Sequence, residues 1–183
     1  LWSRSIRRLD VVVMSHAHED HMQGLAAIVS NFRPSELWTG AAPEGEPGWE
    51  ELKRQALARG VKIVPLGAGS RFAYGGADVE VLAPAPDRVS SRAQNNDSAV
   101  LRIRHGRHSF LLTGDIDRRI EAELPPAKSE VLKVAHHGGK NSTSAAFLEA
   151  VQPAVAVISA GFENSYNLPS AEVLERLRER RVA

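Results

Sequence analysis

Short apolar runs of strand length alternate with helix-like segments along the whole chain, and this alternation restricts the fold more than any other feature. The run LDVVVMS (residues 9–15) is continuous and apolar, which predicts a strand buried on both faces. Helix-like sequence follows from Met22 to Asn31, and Pro34 closes it. The strands ELWTG and VKIVPL then flank an amphipathic helix, WEELKRQALARG, with Gly60 as its predicted C-cap.

The rest of the chain continues this pattern. SRFAYGGADVEVLAP predicts a β-hairpin that turns at Gly75-Gly76, and PAPDRVSSRAQNND predicts a polar surface loop. SAVLRIRHGRHSFLLTGD predicts two strands, DRRIEAEL a short helix, and SEVLKVAHHGG a buried strand that enters a loop. The helix SAAFLEAV, the strand AVAVISAG and the helix SAEVLERLRERR follow. Two roughly similar halves predict one α/β domain over residues 1–183, a sandwich with its sheets inside.

Composition excludes several classes of site. The chain has no cysteine, which removes disulfides, thiolate zinc sites and thiol nucleophiles. Its formal net charge of +1 argues neither for nor against a nucleic-acid partner. No apolar run approaches the roughly 20 residues that span a bilayer. Because the first residue is Leu1 rather than Met, we expect a fragment of a larger protein, whose membrane segments could lie outside it.

The histidines are concentrated in two loops that each follow a predicted buried strand. Five of the seven lie there: His16, His18, His21, His136 and His137. The other two, His105 and His108, are expected to be exposed in a hairpin turn. A single loop histidine more often caps or solvates a turn than binds a metal. In HAHEDH, however, crowded ionisable groups would destabilise one another unless a cation compensates them, so this segment predicts a metal site.

Several motifs resemble those of the metallo-β-lactamase superfamily. HAHEDH matches its H-x-H-x-D-H signature, LLTGD resembles its strand that delivers a bridging aspartate, and LKVAHHGG resembles its motif with the last histidine. More narrowly, QNNDSAVLRI, FLLTGDID, EVLKVAHHGGKNSTS and PAVAVISAGFENSYNLPSAEVLERL resemble, in order and spacing, the C-terminal domain of ComEC-type competence proteins. That family moves transforming DNA across the bacterial inner membrane. The resemblance implies an αββα sandwich, truncated at both ends relative to family members.

The resemblance also implies two divalent metal ions, zinc or manganese, and no organic cofactor. His16 and His18 would hold the first ion, and Asp115 would bridge to the second. The second ion would be held by Asp20, His21 and one of the neighbours His136 and His137, the other being left for substrate. The expected catalytic residues are therefore Asp20, Asp115 and His137.

The chain departs from the superfamily pattern at two positions. A third histidine for the first ion is replaced by the loop Gln94–Ser98, in which Asn95, Asn96 or Asp97 could offer an oxygen ligand or hold a water. The alternative is an ordinary turn rich in Asn and Asp that opens a strand. Leu168 stands where some relatives have a histidine, so no proton donor is predicted there.

The second histidine loop favours a phosphate substrate. Lys140, Ser142, Thr143 and Ser144 precede a predicted helix, where free N–H groups and a cation would bind phosphate; plain helix capping by Ser142 or Ser144 is the alternative. Arg102, Arg104, Arg107, Arg118 and Arg119 add weaker support. With 5% aromatic residues, the sequence shows no platform for stacking bases, so we expect the DNA backbone to be held more than the bases.

The predicted function is metal-dependent hydrolysis of DNA, in which the domain degrades the strand that is not imported during competence. Single-stranded DNA is the expected substrate. The domain would belong to a membrane-embedded DNA-uptake protein and face the outside of the cytoplasmic membrane. The alternatives are a small-molecule esterase or lactonase of the same fold and a catalytically silent module. We also expect Asp115→Asn to be neutral or stabilising without metal, because a like-charge neighbour of Asp20 is removed.

Overall fold

The first third of the chain builds a three-stranded parallel sheet and the helices that cover it. The computed structural model describes residues 1–88 and 90–183. In chain order the elements are β1 (Val11–Met14), α1 (Glu19–Met22), α2 (Leu25–Phe32), β2 (Glu36–Thr39), α3 (Pro47–Ala58) and β3 (Lys62–Pro65). The strand order is β1-β2-β3, so β1 and β3 are the edges of this first sheet.

The remaining elements form a six-stranded mixed sheet with helices on its outer face. They are β4 (Arg71–Tyr74), β5 (Ala77–Ala83), β6 (Val100–His105), β7 (His108–Leu112), α4 (Arg118–Glu123), β8 (Val131–Lys133), α5 (Ala145–Val151), β9 (Val155–Val157) and α6 (Ala171–Glu179). The strands lie in chain order from β4 to β9. Pairs from β4 to β7 are antiparallel, and those from β7 to β9 are parallel.

Three apolar clusters show that the elements form four layers. Trp38 of the first sheet packs with Val81 and Leu101 of the second, so the two sheets face each other. A second cluster joins β1 and β2 to α2 and α3, and a third joins the second sheet to α4, α5 and α6. The order helix, sheet, sheet, helix is the αββα sandwich that the sequence predicted.

One local prediction fails and two are confirmed. The prediction that β1 is buried on both faces is wrong: Val13 is 37% exposed, because β1 is an edge strand that pairs with β2 alone among the described residues. The helix predicted from about Met22 to Asn31 is found as α2, which begins at Leu25. The hairpin turn at Gly75-Gly76 is confirmed, and both glycines have positive φ, 54° and 81°, as a tight two-residue turn requires.

The topology brings four chain segments to one edge of the sandwich. The carboxyl ends of β1, β7 and β8 point to this edge, and β6, antiparallel to β7, starts there. The first histidine loop follows β1, Asp115 follows β7, and the second histidine loop follows β8. Within the described part of the chain, no helix is both long and apolar enough to cross a bilayer.

Candidate metal centre

Four of the predicted ligands form one compact group: Asp20, His21, Asp115 and His137. Their ligand atoms all lie within 4.8 Å of one another. Nε2 of His21 is 3.1 Å from Oδ2 of Asp115 and 3.2 Å from Nε2 of His137. Oδ2 of Asp20 is 3.3 Å from Nε2 of His137. Ligand atoms around a tetrahedral zinc ion are about 3.3 Å apart, given bonds of about 2.0–2.1 Å, so these spacings fit a metal ion.

The backbone after β8 decides which of the two adjacent histidines joins this group. His136 and His137 both have positive φ, 50° and 53°, a strained conformation for residues with a side chain. Consecutive left-handed residues send the two rings in different directions. Nε2 of His136 is 3.3 Å from the Asn95 amide, whereas Nδ1 of His137 donates to the Ser159 carbonyl over 2.6 Å. His137 therefore turns its Nε2 to the group, whereas the ring of His136 lies against Asn95.

His16 and His18 form a second pair of metal-binding atoms beside the first group. Nε2 of His16 is 3.0 Å from Nδ1 of His18, and the His16 and His21 rings are 4.3 Å apart. The His18 Nε2–H donates to the Ala93 carbonyl over 3.2 Å, which leaves Nδ1 of His18 without a proton. The Ala93 carbonyl thus sets the His18 tautomer.

Ser98 sets the His16 tautomer in the same way. Its hydroxyl donates to the Asn95 carbonyl over 2.7 Å, so its oxygen can only accept from Nδ1 of His16 at 3.2 Å, and the Ser15 hydroxyl lies equally near this nitrogen. In the tautomer with its proton on Nδ1, His16 carries on Nε2 a lone pair that faces the lone pair of His18. Two lone pairs at this separation repel unless a cation lies between them, so the donor set fits a metal ion.

Burial and neighbouring charge prepare these ligands for a cation. Burial, reinforced by the nearby His21, lowers the pKa of His16 to about 4, so His16 is neutral at neutral pH. Burial alone would raise the pKa of Asp115, but the hydrogen bond and charge of His21, with the charges of His137 and Lys133, hold this pKa well below its ordinary range. Asp115 is therefore ionised.

Sequence reasoning missed Lys133, at the end of β8. Its Nζ lies 4.0 Å from Oδ1 of Asp115, too far for a hydrogen bond, and both buried atoms lack a hydrogen-bond partner within the described residues. The orphaned Oδ1 is a free acceptor in the most buried part of the group. The only signal in the sequence was a lysine within the strand run LKV, three residues before the histidines.

The loop before β6 contributes less than predicted. Asn95 lines the same cavity as Asp20 and Asp115, so it stays a candidate. Asn96 instead bonds Asp117 through both amide atoms, over 3.0 Å each, and so ties this loop to the start of α4. Asp97 is fully buried and accepts from Arg88 and Ser90, each over 2.7 Å. The polar atoms of Asn96 and Asp97 thus have protein partners outside the metal-binding group.

A carboxylate of the protein occupies the place before α5 where the sequence predicted a phosphate site. The backbone N–H groups of Thr143 and Ser144 donate to the buried carboxylate of Glu121, so the protein supplies its own anion there. The Ser142 hydroxyl donates to backbone carbonyls, and the Ser144 hydroxyl caps α5 by accepting from Phe147. The capping alternative is thus correct for Ser144, and exposed Lys140 has no site of this kind to complete.

Two of the predicted arginines lie beside a carboxylate of β5, whereas Arg118 donates to Asn141 of the second histidine loop. Arg102 pairs with Glu80 on β5, and Arg104 lies 3.9 Å from the same carboxylate. His105 and His108 are exposed in the β6–β7 hairpin, as predicted, and His108 pairs with Glu130.

An open cavity gives access to the candidate metal centre. Its volume is about 400 Å³, and it reaches His18, Asp20, Asp115, His136 and His137. The rest of its wall is formed by Glu19, Gln23, Asn95, Tyr166 and Leu168. The cavity lies at the ends of strands from both sheets. At this edge an αββα sandwich brings together residues that are distant in the sequence.

Comparison with known proteins defines the class. The sequence model of the beta-lactamase superfamily domain matches residues 2–157. The chain therefore belongs to this superfamily. Among solved structures, it is similar to the metallo-beta-lactamase fold protein YhfI of Bacillus subtilis, with a TM-score of 0.54 and 11% identity over 93% of this chain and 71% of that one. It is also similar to CmlA, a diiron beta-hydroxylase of Streptomyces venezuelae, with a TM-score of 0.58 and 14% identity over 96% and 42%. At these identities the likeness shows the fold.

The relatives found by sequence define a smaller group within this superfamily. The chain is 34% identical to ComE operon protein 3 of Bacillus subtilis over 187 residues, which cover 100% of this chain and 24% of that protein. It is 33% identical to competence protein ComA of Neisseria gonorrhoeae, over 94% and 23%. It is 32% identical to recombination protein 2 of Haemophilus influenzae, over 96% and 21%. The resemblance to ComEC-type competence proteins is confirmed, and the chain spans less than a quarter of the length of these relatives.

Proposed function

We propose that this chain is a dinuclear metal-dependent phosphodiester hydrolase that acts on DNA and degrades the strand that is not imported during competence. The observation that carries the proposal is the convergence of Asp20, His21, Asp115 and His137 beside the His16–His18 pair. The fold and the relatives support a metal-dependent hydrolase of the superfamily. In this proposal the two groups would hold zinc or manganese ions, and Asp115 would be a ligand shared between them.

The chain's own residues bind and orient in this reaction. His16, His18, His21 and His137 would offer nitrogen ligands, and Asp20 and Asp115 would offer carboxylates. Divalent ions supply, when bound, the activation of water at neutral pH and the neutralisation of charge on a phosphoryl oxygen. Ala93, Ser98 and Ser159 orient the rings of three of these histidines, His18, His16 and His137.

Charge in the cavity makes the proposed DNA binding depend on metal. Glu19, Asp20 and Asp115 line this wall, and Lys133 lies behind Asp115 rather than in the cavity. Without cations the carboxylates repel a phosphodiester, whereas two divalent ions reverse the sign of the local charge. Single-stranded DNA is the proposed substrate. In the intact protein the domain would lie on the extracytoplasmic face, joined to a membrane-embedded uptake machine.

The test compares DNA with esters as substrates. The chain, loaded with manganese or zinc, is assayed on labelled single-stranded DNA and on a panel of chromogenic esters. We expect metal-dependent cleavage of DNA that is lost in Asp20→Asn. The Asp20 side chain is 64% exposed, so its replacement should leave the fold intact. The matched control is Asp78→Asn, which removes an exposed carboxylate on β5 and should keep full activity.

Other outcomes favour the alternatives. Cleavage of esters without cleavage of DNA would support the esterase or lactonase. Sub-stoichiometric metal content, with no hydrolysis of either substrate on adding any divalent ion, would support a silent module. DNA cleavage that survives in Asp20→Asn would contradict the proposed centre.

A further inference from the structure

The segment between β9 and α6 carries two exposed aromatic side chains beside the candidate metal centre. Tyr166 is 81% exposed and Phe162 is 92% exposed. Tyr166 lines the metal cavity and also a neighbouring cavity of about 400 Å³ that reaches Asp20, His137 and Gly161. Its ring therefore stands between two openings that share two predicted ligands. Phe162 directly follows Gly161 on the same segment.

The segment is held in a defined conformation by Asn164. The Asn164 amide donates to the carbonyls of Gly161 and Leu168, over 2.8 Å and 2.6 Å. Its oxygen accepts from the N–H groups of Tyr166 and Leu168, over 3.2 Å and 3.1 Å. Farther along, the N–H of Ser170 donates to the carbonyl of Gly138, in the loop that carries His137. These bonds fix the backbone on which the Tyr166 ring is presented.

A solvent-exposed ring on a hydrogen-bonded backbone beside the candidate metal centre requires an explanation. Burial of Tyr166 and Phe162 would be favourable, yet neither ring packs against another aromatic ring among the described residues. A preorganised aromatic ring loses little entropy when it stacks on a planar ligand. Nucleobases are planar groups that follow a phosphodiester at a fixed covalent distance, but they are free to stack only where the strand is unpaired.

We infer that Tyr166, with Phe162 beside it on the segment, stacks on unpaired bases next to the phosphodiester at the metal centre. This inference rests on the proposed function and adds to it a residue that selects single-stranded nucleic acid. It revises the expectation that the DNA backbone is held more than the bases. The acidic wall of the cavity contacts the phosphate through metal ions, and the aromatic segment contacts the base.

The test compares two single-stranded oligomers with the same phosphates, one of thymidine and one of abasic tetrahydrofuran residues. Both carry phosphorothioate linkages, which slow cleavage, and binding is followed by fluorescence anisotropy with manganese. We expect the wild-type chain to prefer oligothymidylate. Tyr166→Leu should weaken binding of oligothymidylate about tenfold and leave binding of the abasic oligomer unchanged. Tyr166→Phe and Tyr166→Trp keep a ring and should keep the preference.

Controls separate stacking from a fault in folding. Tyr74→Leu removes the chain's other tyrosine, which bonds Glu36 on the first sheet, and should leave the preference intact. The double variant Phe162→Leu, Tyr166→Leu should bind oligothymidylate more weakly than Tyr166→Leu alone. Circular dichroism and metal content confirm that each variant is folded and loaded.

The outcomes for the two proposals are distinct. Equal binding of the two oligomers by the wild-type chain, or equal losses on both in Tyr166→Leu, would overturn the stacking role. A wild-type preference for oligothymidylate that depends on Tyr166, in a chain that cuts no unmodified DNA, would uphold stacking and contradict the proposed hydrolase. DNA cleavage with no effect of Tyr166 would do the reverse.

Discussion

At the residue scale, hydrogen bonds to the outer nitrogen of each histidine decide what the inner nitrogen can do. Ser98, Ala93 and Ser159 hold the outer nitrogens of His16, His18 and His137. His16 is completely buried, which is rare for an imidazole without a structural or metal-binding role. Burial therefore keeps His16 neutral, and it also makes the stability of the fold depend on pH.

The lowered pKa of His16 predicts how the metal-free fold responds to acid. Its pKa is about 4 in the fold and about 6.5 in the unfolded chain, so the unfolded chain binds a proton first as pH falls. His16 thus contributes full stability above pH 6.5, and this is lost as pH falls from 6.5 towards 4. From about pH 7.5 to about pH 5, we expect His16 to account for a loss of about 2 kcal/mol.

Urea unfolding in chelator at both pH values measures this loss. His16→Asn should lose less stability between the two pH values than the wild-type chain, and His105→Asn, at an exposed histidine, should lose the same as wild type. Equal losses in all three proteins would contradict the buried, neutral His16.

The structure reverses the expectation for Asp115→Asn without metal. Oδ2 of Asp115 lies 3.1 Å from His21 and 3.3 Å from His137, and its lowered pKa means that the fold favours the ionised form. That stabilisation is present above the ordinary carboxyl pKa and is lost in acid. Near neutral pH in chelator we expect Asp115→Asn to lower the free energy of unfolding by about 2 kcal/mol. A midpoint in urea that equals or exceeds the wild-type value would restore the original expectation.

At the scale of elements, a carboxylate joins α4 to the start of α5. Glu121 lies in α4, and both its oxygens accept from the backbone before α5. The N–H groups in this contact, those of Thr143 and Ser144, are the ones that the sequence predicted to bind a phosphate. The end of the loop that carries His137 is thus held to α4 by bonds from two backbone N–H groups to one carboxylate.

Replacement of Glu121 tests this support. Glu121→Gln exchanges one acceptor oxygen for an amide that faces a buried N–H group, and we expect a loss of about 2 kcal/mol. Glu123→Gln, at an exposed position of the same helix, should change stability by less than about 0.5 kcal/mol. Thermal unfolding with and without inorganic phosphate gives both answers. Protection of the wild-type chain by phosphate in chelator would show that an external anion can bind there after all.

At the scale of the whole molecule, the candidate metal centre joins the two sheets. His16, His18 and His21 follow β1 of the first sheet, whereas Asp115 and His137 follow β7 and β8 of the second. Between the sheets the core contains Trp38, Val81 and Leu101, and part of β1 remains uncovered. A bound ion would therefore add a link between layers that pack through a limited apolar core.

Metal binding should consequently raise the thermal stability of the whole chain. At a free metal concentration about a thousandfold above the dissociation constant, binding stabilises the fold by about 4 kcal/mol. For a chain of this size that corresponds to a rise of about 10 °C in the unfolding midpoint. Scanning calorimetry with manganese and with chelator measures it. Asp115→Asn should show a much smaller rise, and an equal rise in both proteins would mean that Asp115 is not a ligand.

The sequence by itself determined what short-range patterns encode. Apolar periodicity and turn residues are local, so the strands, the Gly75-Gly76 hairpin and the αββα order could be predicted. HAHEDH places three candidate metal-binding histidines within six residues, and this clustering can be recognised from the sequence alone.

Tertiary structure alone decided the contacts between residues far apart in the chain. The choice of His137 over His136 depends on Ser159 and on a left-handed backbone. The occupation of the α5 start by Glu121, 22 residues before Thr143, has no local signature. The position of Tyr166 beside Asp20 likewise follows from the pairing of β9 with β8 and the packing of α6 on the second sheet. Such contacts arise only when separate elements pack, because a side chain's hydrogen-bond partner is set by space and not by sequence distance.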